Sequence, residues 1–107
     1  MSSNEPKSLV TVRRSAIHGR GLFAACDIPR GELIGTFEGS PTKRNGAYVL
    51  WVEDEDGVSY GIQGKNDIRF VNHSNEANAD FDGVELYAVR NISEGDEITH
   101  DYGEDWD

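Results

Sequence analysis

With 107 residues, of which 36% are hydrophobic and 28% charged, the sequence predicts one soluble domain with a modest core and excludes a disordered chain. No apolar run approaches the roughly 18 residues of a membrane span, the N-terminus MSSNEPKS is unlike a signal peptide, and Cys26 has no second cysteine to bond, so we expect an intracellular protein. The formal net charge of -10 argues against direct binding to nucleic acid, whose phosphates carry the same sign.

Strand-forming segments dominate the chain. Residues 9–15 and 33–39 combine β-branched and aromatic side chains in the way that strands do. Residues 48–54, YVLWVED, are almost continuously apolar, which predicts a strand buried on both faces. The pair Asp56-Gly57 then predicts a hairpin turn that leads into a strand at 58–62.

The second half continues in the same manner. Residues 69–71 are compatible with a strand, and residues 84–92 predict a strong one. Turn signals separate the strands, and no segment shows a sustained apolar period of 3.6 residues, so any helix is short. We therefore predict a mainly β fold of several small sheets in a single domain, residues 1–107. Residues 1–8 are expected to be flexible and residues 104–107 to form a short C-terminal tail.

The negative charge is concentrated in the last part of the sequence. Residues 1–65 contain eight Lys or Arg and eight Asp or Glu, whereas residues 66–107 contain two basic and twelve acidic residues. An acidic surface attracts cations, so a basic polypeptide is a plausible partner. Acidity that only keeps a small domain soluble explains the same pattern equally well, and charge alone leaves both interpretations open.

Two kinds of site are disfavoured by spacing. Residues 54–57 partly resemble a calcium loop, but its later ligands are absent and a plain hairpin tip is favoured. His18, His73 and His100 lie far apart with no paired ligand spacing, and no Gly-x-Ser-x-Gly elbow is present. We predict no metal site and no serine hydrolase.

Four segments in a fixed order carry a specific resemblance to a known family. They are SAIHGRGLFA (15–24), IPRGELIGTFEG (28–39), RFVNHSNEAN (69–78) and ISEGDEITHDYG (92–103). Together they resemble the SET-domain family of protein lysine methyltransferases, which use S-adenosyl-L-methionine (AdoMet). The resemblance implies the SET fold, with little helix and a knot-like C-terminal threading that brings residues 72–78 beside the segment leading to Tyr102.

The resemblance also implies an AdoMet site. Glycines in the Gly-x-Gly turn let the backbone turn tightly and approach a ligand, although an ordinary turn between strands is the alternative. Asparagine and neutral histidine both donate and accept hydrogen bonds, which suits the amino, carboxylate and adenine groups of the cofactor. They could also brace a loop, the role expected for Asn78. The implied cofactor contacts are His18, Gly19, Arg20, Gly21, Tyr48, Asn72 and His73, with Arg20 near the carboxylate and the Tyr48 ring equally usable as core.

Tyr102 matches the catalytic tyrosine of the family, whose hydroxyl orients the lysine amine. Phe37 stands where many members have a second channel tyrosine. His100 replaces the usual Phe or Tyr at a position linked to the number of methyl groups added, where it could accept a hydrogen bond or, if protonated, repel a lysine. Trp106 is expected to supply a hydrophobic wall of the lysine channel in place of a longer C-terminal segment.

The sequence therefore predicts an enzyme that transfers methyl groups from AdoMet to a lysine of a basic protein, histone-like or ribosomal. The alternative is a catalytically weak or inactive SET-fold module that binds AdoMet or a basic peptide. A homodimer is also expected, because small stand-alone SET proteins can dimerise. The location implied is cytoplasmic, or nuclear or host-targeted if the substrates are histones.

Overall fold

The computed structural model describes residues 8–46 and 48–101. Within them the chain forms short strands and a single turn of 3-10 helix, Asp67–Phe70, which confirms the mainly β prediction. No helix in these described residues is long and apolar enough to cross a bilayer. The strands are β1 (Val10–Arg14), β2 (Arg20–Ala24), β3 (Leu33–Thr36), β4 (Gly39–Thr42), β5 (Val49–Glu53), β6 (Ser59–Gly64), β7 (Asn72–His73), β8 (Ala79–Asp82), β9 (Glu85–Ala88) and β10 (Glu97–His100).

The strands form two sheets. The larger sheet has the order β1-β2-β10-β8-β9-β3, with β7 also paired to β10, and the smaller sheet has the order β4-β6-β5. The last described strand, β10, therefore lies in the interior of the larger sheet. It runs antiparallel to β2 and parallel to both β7 and β8.

The pairing of β10 with β7 positions the polar segment of the sequence. Thr99 lies opposite Asn72, and His100 lies opposite His73. Residues almost thirty apart in the chain therefore become neighbours, which is the juxtaposition that the predicted knot-like threading requires. Residues 102–107, which follow β10, lie outside the described residues.

The hydrophobic core lies against the larger sheet. Burying a large aliphatic side chain contributes about 1.5–3 kcal/mol, so a few such residues account for much of the stabilisation. Phe81 and Val84, in and beside the β8–β9 hairpin, pack against this core while partly exposed. The largest fully buried side chains are Leu22, Ile28, Leu86, Ile92 and Ile98.

The predicted hairpin at residues 48–62 is confirmed as β5 and β6. Gly57, in the turn between them, has a φ of +80°, a backbone conformation that glycine adopts without strain. The carboxylate of Asp54 accepts hydrogen bonds from the backbone N–H groups of Asp56 and Val58, each at 2.9 Å. The acidic tip is thus an ordinary turn stabilised by its own side chain.

The prediction that β5 is buried on both faces is wrong. Val52 is buried, but the neighbouring Trp51 is 44% exposed. The side chains of β5 alternate between two faces: Leu50 and Val52 turn to the core, whereas Trp51 and Glu53 on the other face are exposed. The indole of Trp51 covers Gly61, and its Nε1–H donates to Asn45 Oδ1 at 3.1 Å.

The expectation of a strand at residues 69–71 is also wrong. Arg69 and Phe70 belong to the 3-10 turn, which buries Ile68 and Phe70. The Arg69 guanidinium lies 4.1 Å from the centre of the Phe70 ring and donates to the carbonyl oxygen of Asn66 at 2.9 Å. These local contacts favour the turn, and the extended backbone resumes at Asn72.

Candidate active site

The Gly-x-Gly turn lies in the loop that connects β1 to β2. Ser15 donates its backbone N–H to the Gly19 carbonyl at 2.7 Å, and Gly19 has a φ of +42°. The Ser15 hydroxyl oxygen accepts from the backbone N–H groups of Ile17 at 2.9 Å and His18 at 3.3 Å. The loop is therefore closed by hydrogen bonds to both the backbone and the side chain of Ser15.

An open pocket lies beside this loop. Its volume is about 430 Å³, and Arg14, Ser15, Gly19 and Arg20 line it. Both arginines are exposed, so two cationic residues are among those that line the pocket. A guanidinium presents paired N–H donors that match a carboxylate, which suits the pocket to an anionic group of a ligand.

Asn72 connects the polar segment to the loop. Its Nδ2 donates to the carbonyl oxygens of His18 at 3.1 Å and Arg20 at 3.2 Å, and to Oε2 of Glu97 at 2.9 Å. The amide nitrogen thus braces the Gly-x-Gly turn from a position more than fifty residues away in sequence. A ligand contact by this side chain would use its amide oxygen.

Glu97, in β10, is a site residue that the sequence analysis did not identify. Its carboxylate accepts the Ser15 hydroxyl at 2.7 Å and 2.9 Å from the two oxygens, in addition to the bond from Asn72. Gly21 makes room for it, because a Cβ there would overlap Oε2 and lie 2.9 Å from Cδ of Glu97. The sequence feature that could have identified Glu97 was a single carboxylate at the start of a buried strand.

Asn78 is confirmed as a structural brace. Its Nδ2 donates to the carbonyl oxygen of Glu97 at 2.9 Å, and its Oδ1 accepts the backbone N–H of Thr99 at 2.9 Å. The side chain therefore pairs with β10 as a neighbouring strand would. This contact fixes β10 next to the site.

Both ring nitrogens of His73 face acceptors. Nε2 lies 3.0 Å from Asn75 Oδ1, and Nδ1 lies 3.8 Å from Oδ1 of Asp101. The Ser74 backbone N–H donates to the carbonyl oxygen of His100 at 3.2 Å. The Ser74 backbone therefore holds the polar segment against β10, while Asn75 contacts His73 within the segment.

Three aromatic rings, including that of His100 in β10, pack against one another. The rings of Phe37 and Phe81 meet edge to face at 6.1 Å, and those of Phe81 and His100 at 4.8 Å. Burial, reinforced by His73, lowers the pKa of His100 from 6.5 to about 4, and the nearby carboxylates of Asp80 and Asp101 oppose this only in part. The imidazole is therefore neutral at pH 7 and does not repel a cationic side chain.

The remaining predicted residues divide into two groups. Tyr48 is 42% exposed and packs edge to face on Phe70 at 5.4 Å, beside the turn that leads to Asn72. Tyr102 and Trp106 lie outside the described residues. The structure thus brings together the Gly-x-Gly turn, Asn72 and the residues of β10.

The comparisons with known proteins agree with this geometry. The family model described as SET domain matches residues 19–103. Over 118 aligned residues the chain is 36% identical to human histone-lysine N-methyltransferase 2B, covering 90% of this chain and 4% of that protein. Over 125 residues it is 30% identical to the histone-lysine N-methyltransferase of Emericella nidulans described as specific for lysine 4 of histone H3, covering 94% of this chain and 10% of that protein. The chain thus spans a small part of the length of these relatives.

A solved structure shows the same fold. The methyltransferase domain of human PR domain-containing protein 2 superimposes with a TM-score of 0.74 at 22% sequence identity, covering 95% of this chain and 82% of that domain. At this identity the likeness concerns the arrangement of the strands.

Proposed function

The chain belongs to the SET-domain family, and we propose from this that it is an AdoMet-dependent protein-lysine N-methyltransferase. The observation that carries the proposal is the convergence of the family's remote motifs. The Asn72 side chain binds the carbonyl oxygens of the Gly-x-Gly turn and the carboxylate of Glu97 in β10, next to an open pocket.

The residues at this pocket fit AdoMet in chemical terms. Arg14 and Arg20 can pair with its carboxylate. When bound, the cofactor supplies an electrophilic methyl group. The residues proposed to hold it are His18, Gly19, Arg20, Gly21, Tyr48, Asn72 and His73.

The protein's further task is to present a neutral lysine amine. A lysine with a pKa near 10.4 costs about 4.6 kcal/mol to deprotonate at pH 7. Apolar surroundings disfavour the ammonium form and lower that cost, and Phe37 and Phe81 supply such surroundings beside a neutral His100. We propose that the Tyr102 hydroxyl orients the amine and that Trp106 covers it.

The proposed substrate is a lysine on a basic protein, either histone-like or ribosomal. Two considerations support this class. The relatives described above are named histone-lysine methyltransferases. In addition, twelve acids and two bases in residues 66–107 create a field that attracts basic chains.

The test is methyl transfer from labelled AdoMet to purified histones and ribosomal proteins. We expect labelled lysine in at least one of them and about a hundredfold slower transfer by Tyr102→Phe, comparable to the loss of one oriented donor in other enzymes. Tyr60→Phe is the matched control, since this exposed tyrosine lies in β6. Undiminished transfer by Tyr102→Phe would refute the role of that hydroxyl.

A second experiment separates the enzyme from a binding module. AdoMet binding measured by calorimetry, without methylation of any protein in a cell lysate, would overturn the proposed activity. A homodimer stays a prediction, which sedimentation analysis with and without AdoMet would test.

A further inference from the structure

We propose that Glu97 is a positioning residue that sets the affinity for AdoMet through Ser15 and Asn72, an inference that rests on the function proposed above. Its carboxylate bonds both side chains. Each of these side chains in turn bonds the backbone of the Gly-x-Gly loop. Glu97 therefore connects β10 to the loop without lining the pocket itself.

The first connection runs through the Ser15 hydroxyl. A hydroxyl has one proton to donate, and the two oxygens of Glu97 at 2.7 Å and 2.9 Å receive it. The lone pairs of the same oxygen are then directed at the N–H groups of Ile17 and His18. The negative charge of Glu97 thus determines how Ser15 holds the first half of the loop.

The second connection runs through the Asn72 amide. An ionised carboxylate accepts hydrogen bonds and donates none, so it selects the NH₂ end of the amide. With that end facing Glu97, Nδ2 also reaches the carbonyl oxygens of His18 and Arg20. The amide oxygen is thereby fixed in the opposite direction. A neutral side chain at position 97 would no longer impose this choice.

Gly21 leaves the space that the same carboxylate occupies. A Cβ at Gly21 would overlap the Glu97 carboxylate and lie 2.9 Å from Cβ of Ser15. The absence of a side chain at Gly21 therefore serves an internal contact, whereas Gly19, with a φ of +42° and open space around it, serves the turn. The second glycine of the motif and Glu97 are complementary.

The central experiment compares the full chain with Glu97→Gln. This variant keeps the side-chain shape but replaces one acceptor oxygen by a donor. Because charge-assisted hydrogen bonds are lost, we expect the Kd and KM for AdoMet to rise about tenfold, with kcat at saturating AdoMet within about twofold of the parent. Glu94→Gln, at an exposed position in the same C-terminal segment, is the matched control and should change neither constant.

A second variant guards against a folding defect. Ser15→Ala removes the first connection only, and we expect the Kd to rise about fivefold. Since both changes interrupt one network, the double variant should lose less affinity than the sum of the two. Thermal unfolding, followed by circular dichroism, identifies any variant that does not fold. If Glu97→Gln does not fold, the Kd of Ser15→Ala for AdoMet tests the proposal.

The outcomes distinguish the two proposals. A parent protein that binds no AdoMet refutes the proposed function and with it the premise. A parent that binds AdoMet while Glu97→Gln or Ser15→Ala binds equally well overturns the positioning role alone. A loss of kcat at unchanged Kd also overturns it. Weaker AdoMet binding by both variants, with kcat preserved and with non-additive losses in the double variant, supports the positioning role of Glu97.

Discussion

His100 is a histidine that the fold keeps neutral. Its pKa falls from 6.5 to about 4, first through burial and then through His73, against the opposing charges of Asp80 and Asp101. Because this pKa is lower in the folded than in the unfolded chain, the unfolded chain binds more protons between the two values. The contribution of the neutral His100 to the free energy of unfolding is complete above pH 6.5 and is lost as the pH falls towards 4.

This linkage predicts a pH dependence of folding. Between about pH 7.5 and pH 4.5, His100 should lower the free energy of unfolding by about 2 kcal/mol. In His100→Phe, which keeps an aromatic ring beside Phe81, that part of the dependence should disappear. Urea unfolding of both proteins at the two pH values measures the difference, and an equal loss in both would contradict the prediction.

The sequence predicted some of these contacts and missed others for a physical reason. Asn72 and Asn78 are dense in hydrogen-bonding groups, so a role in bracing or binding could be read from their chemistry. Glu97 and Ser15 are 82 residues apart, and their bond depends on how β10 enters the sheet. Local residue chemistry carries no information about such a long-range pairing. The same holds for the fit between Gly21 and Glu97.

Among the secondary-structure elements, the positions of the strands were easier to predict than the strands with which they pair. Residues 33–39 are strand-forming throughout, yet β3 ends at Thr36 and β4 begins at Gly39 in the other sheet. The change occurs where the Phe37 backbone N–H donates to the Val84 carbonyl at 2.7 Å and the Phe37 ring enters the core. Propensity describes an extended backbone and does not specify the sheet that it joins.

The one-sided burial of β5 predicts an unequal cost of two truncations. Leu86→Ala, at a fully buried position of β9, should lower the free energy of unfolding by about 3 kcal/mol because it leaves a cavity. Trp51→Ala should cost about 1 kcal/mol, since 44% of that residue is already exposed. Chemical denaturation measures both. Equal losses would contradict the one-sided burial of β5.

At the scale of the whole molecule, acidic side chains lie close to the aromatic rings of the candidate site. Asp82 and Glu85 are paired across the β8–β9 hairpin, and Asp82 directly follows Phe81, whose ring packs on His100. The charge of Glu85 raises the pKa of Tyr87, and burial and the charge of Asp82 raise it further. A basic substrate approaching Phe81 would meet this negative surface.

Salt should therefore weaken the reaction with basic substrates. Raising the ionic strength from about 0.05 M to about 0.5 M should lower kcat/KM for a basic peptide about fivefold, because exposed charges are screened. Asp82→Asn with Glu85→Gln should reduce this salt dependence. Neutralising Glu55 and Asp56, at the tip of the β5–β6 hairpin in the smaller sheet, is the matched control. The same reduction in that control would contradict a field that arises from the β8–β9 hairpin.

The interior position of β10 has a consequence for biosynthesis. Among the described residues of the larger sheet, β2 and β8 are joined through β10, residues 97–100. A nascent chain on the ribosome therefore exposes the unpaired edges of both strands until these residues emerge. We expect the larger sheet to close only after residues 97–100 have left the ribosome and to form slowly, because its pairings are long-range, with the open strand edges as the surface that chaperones shield.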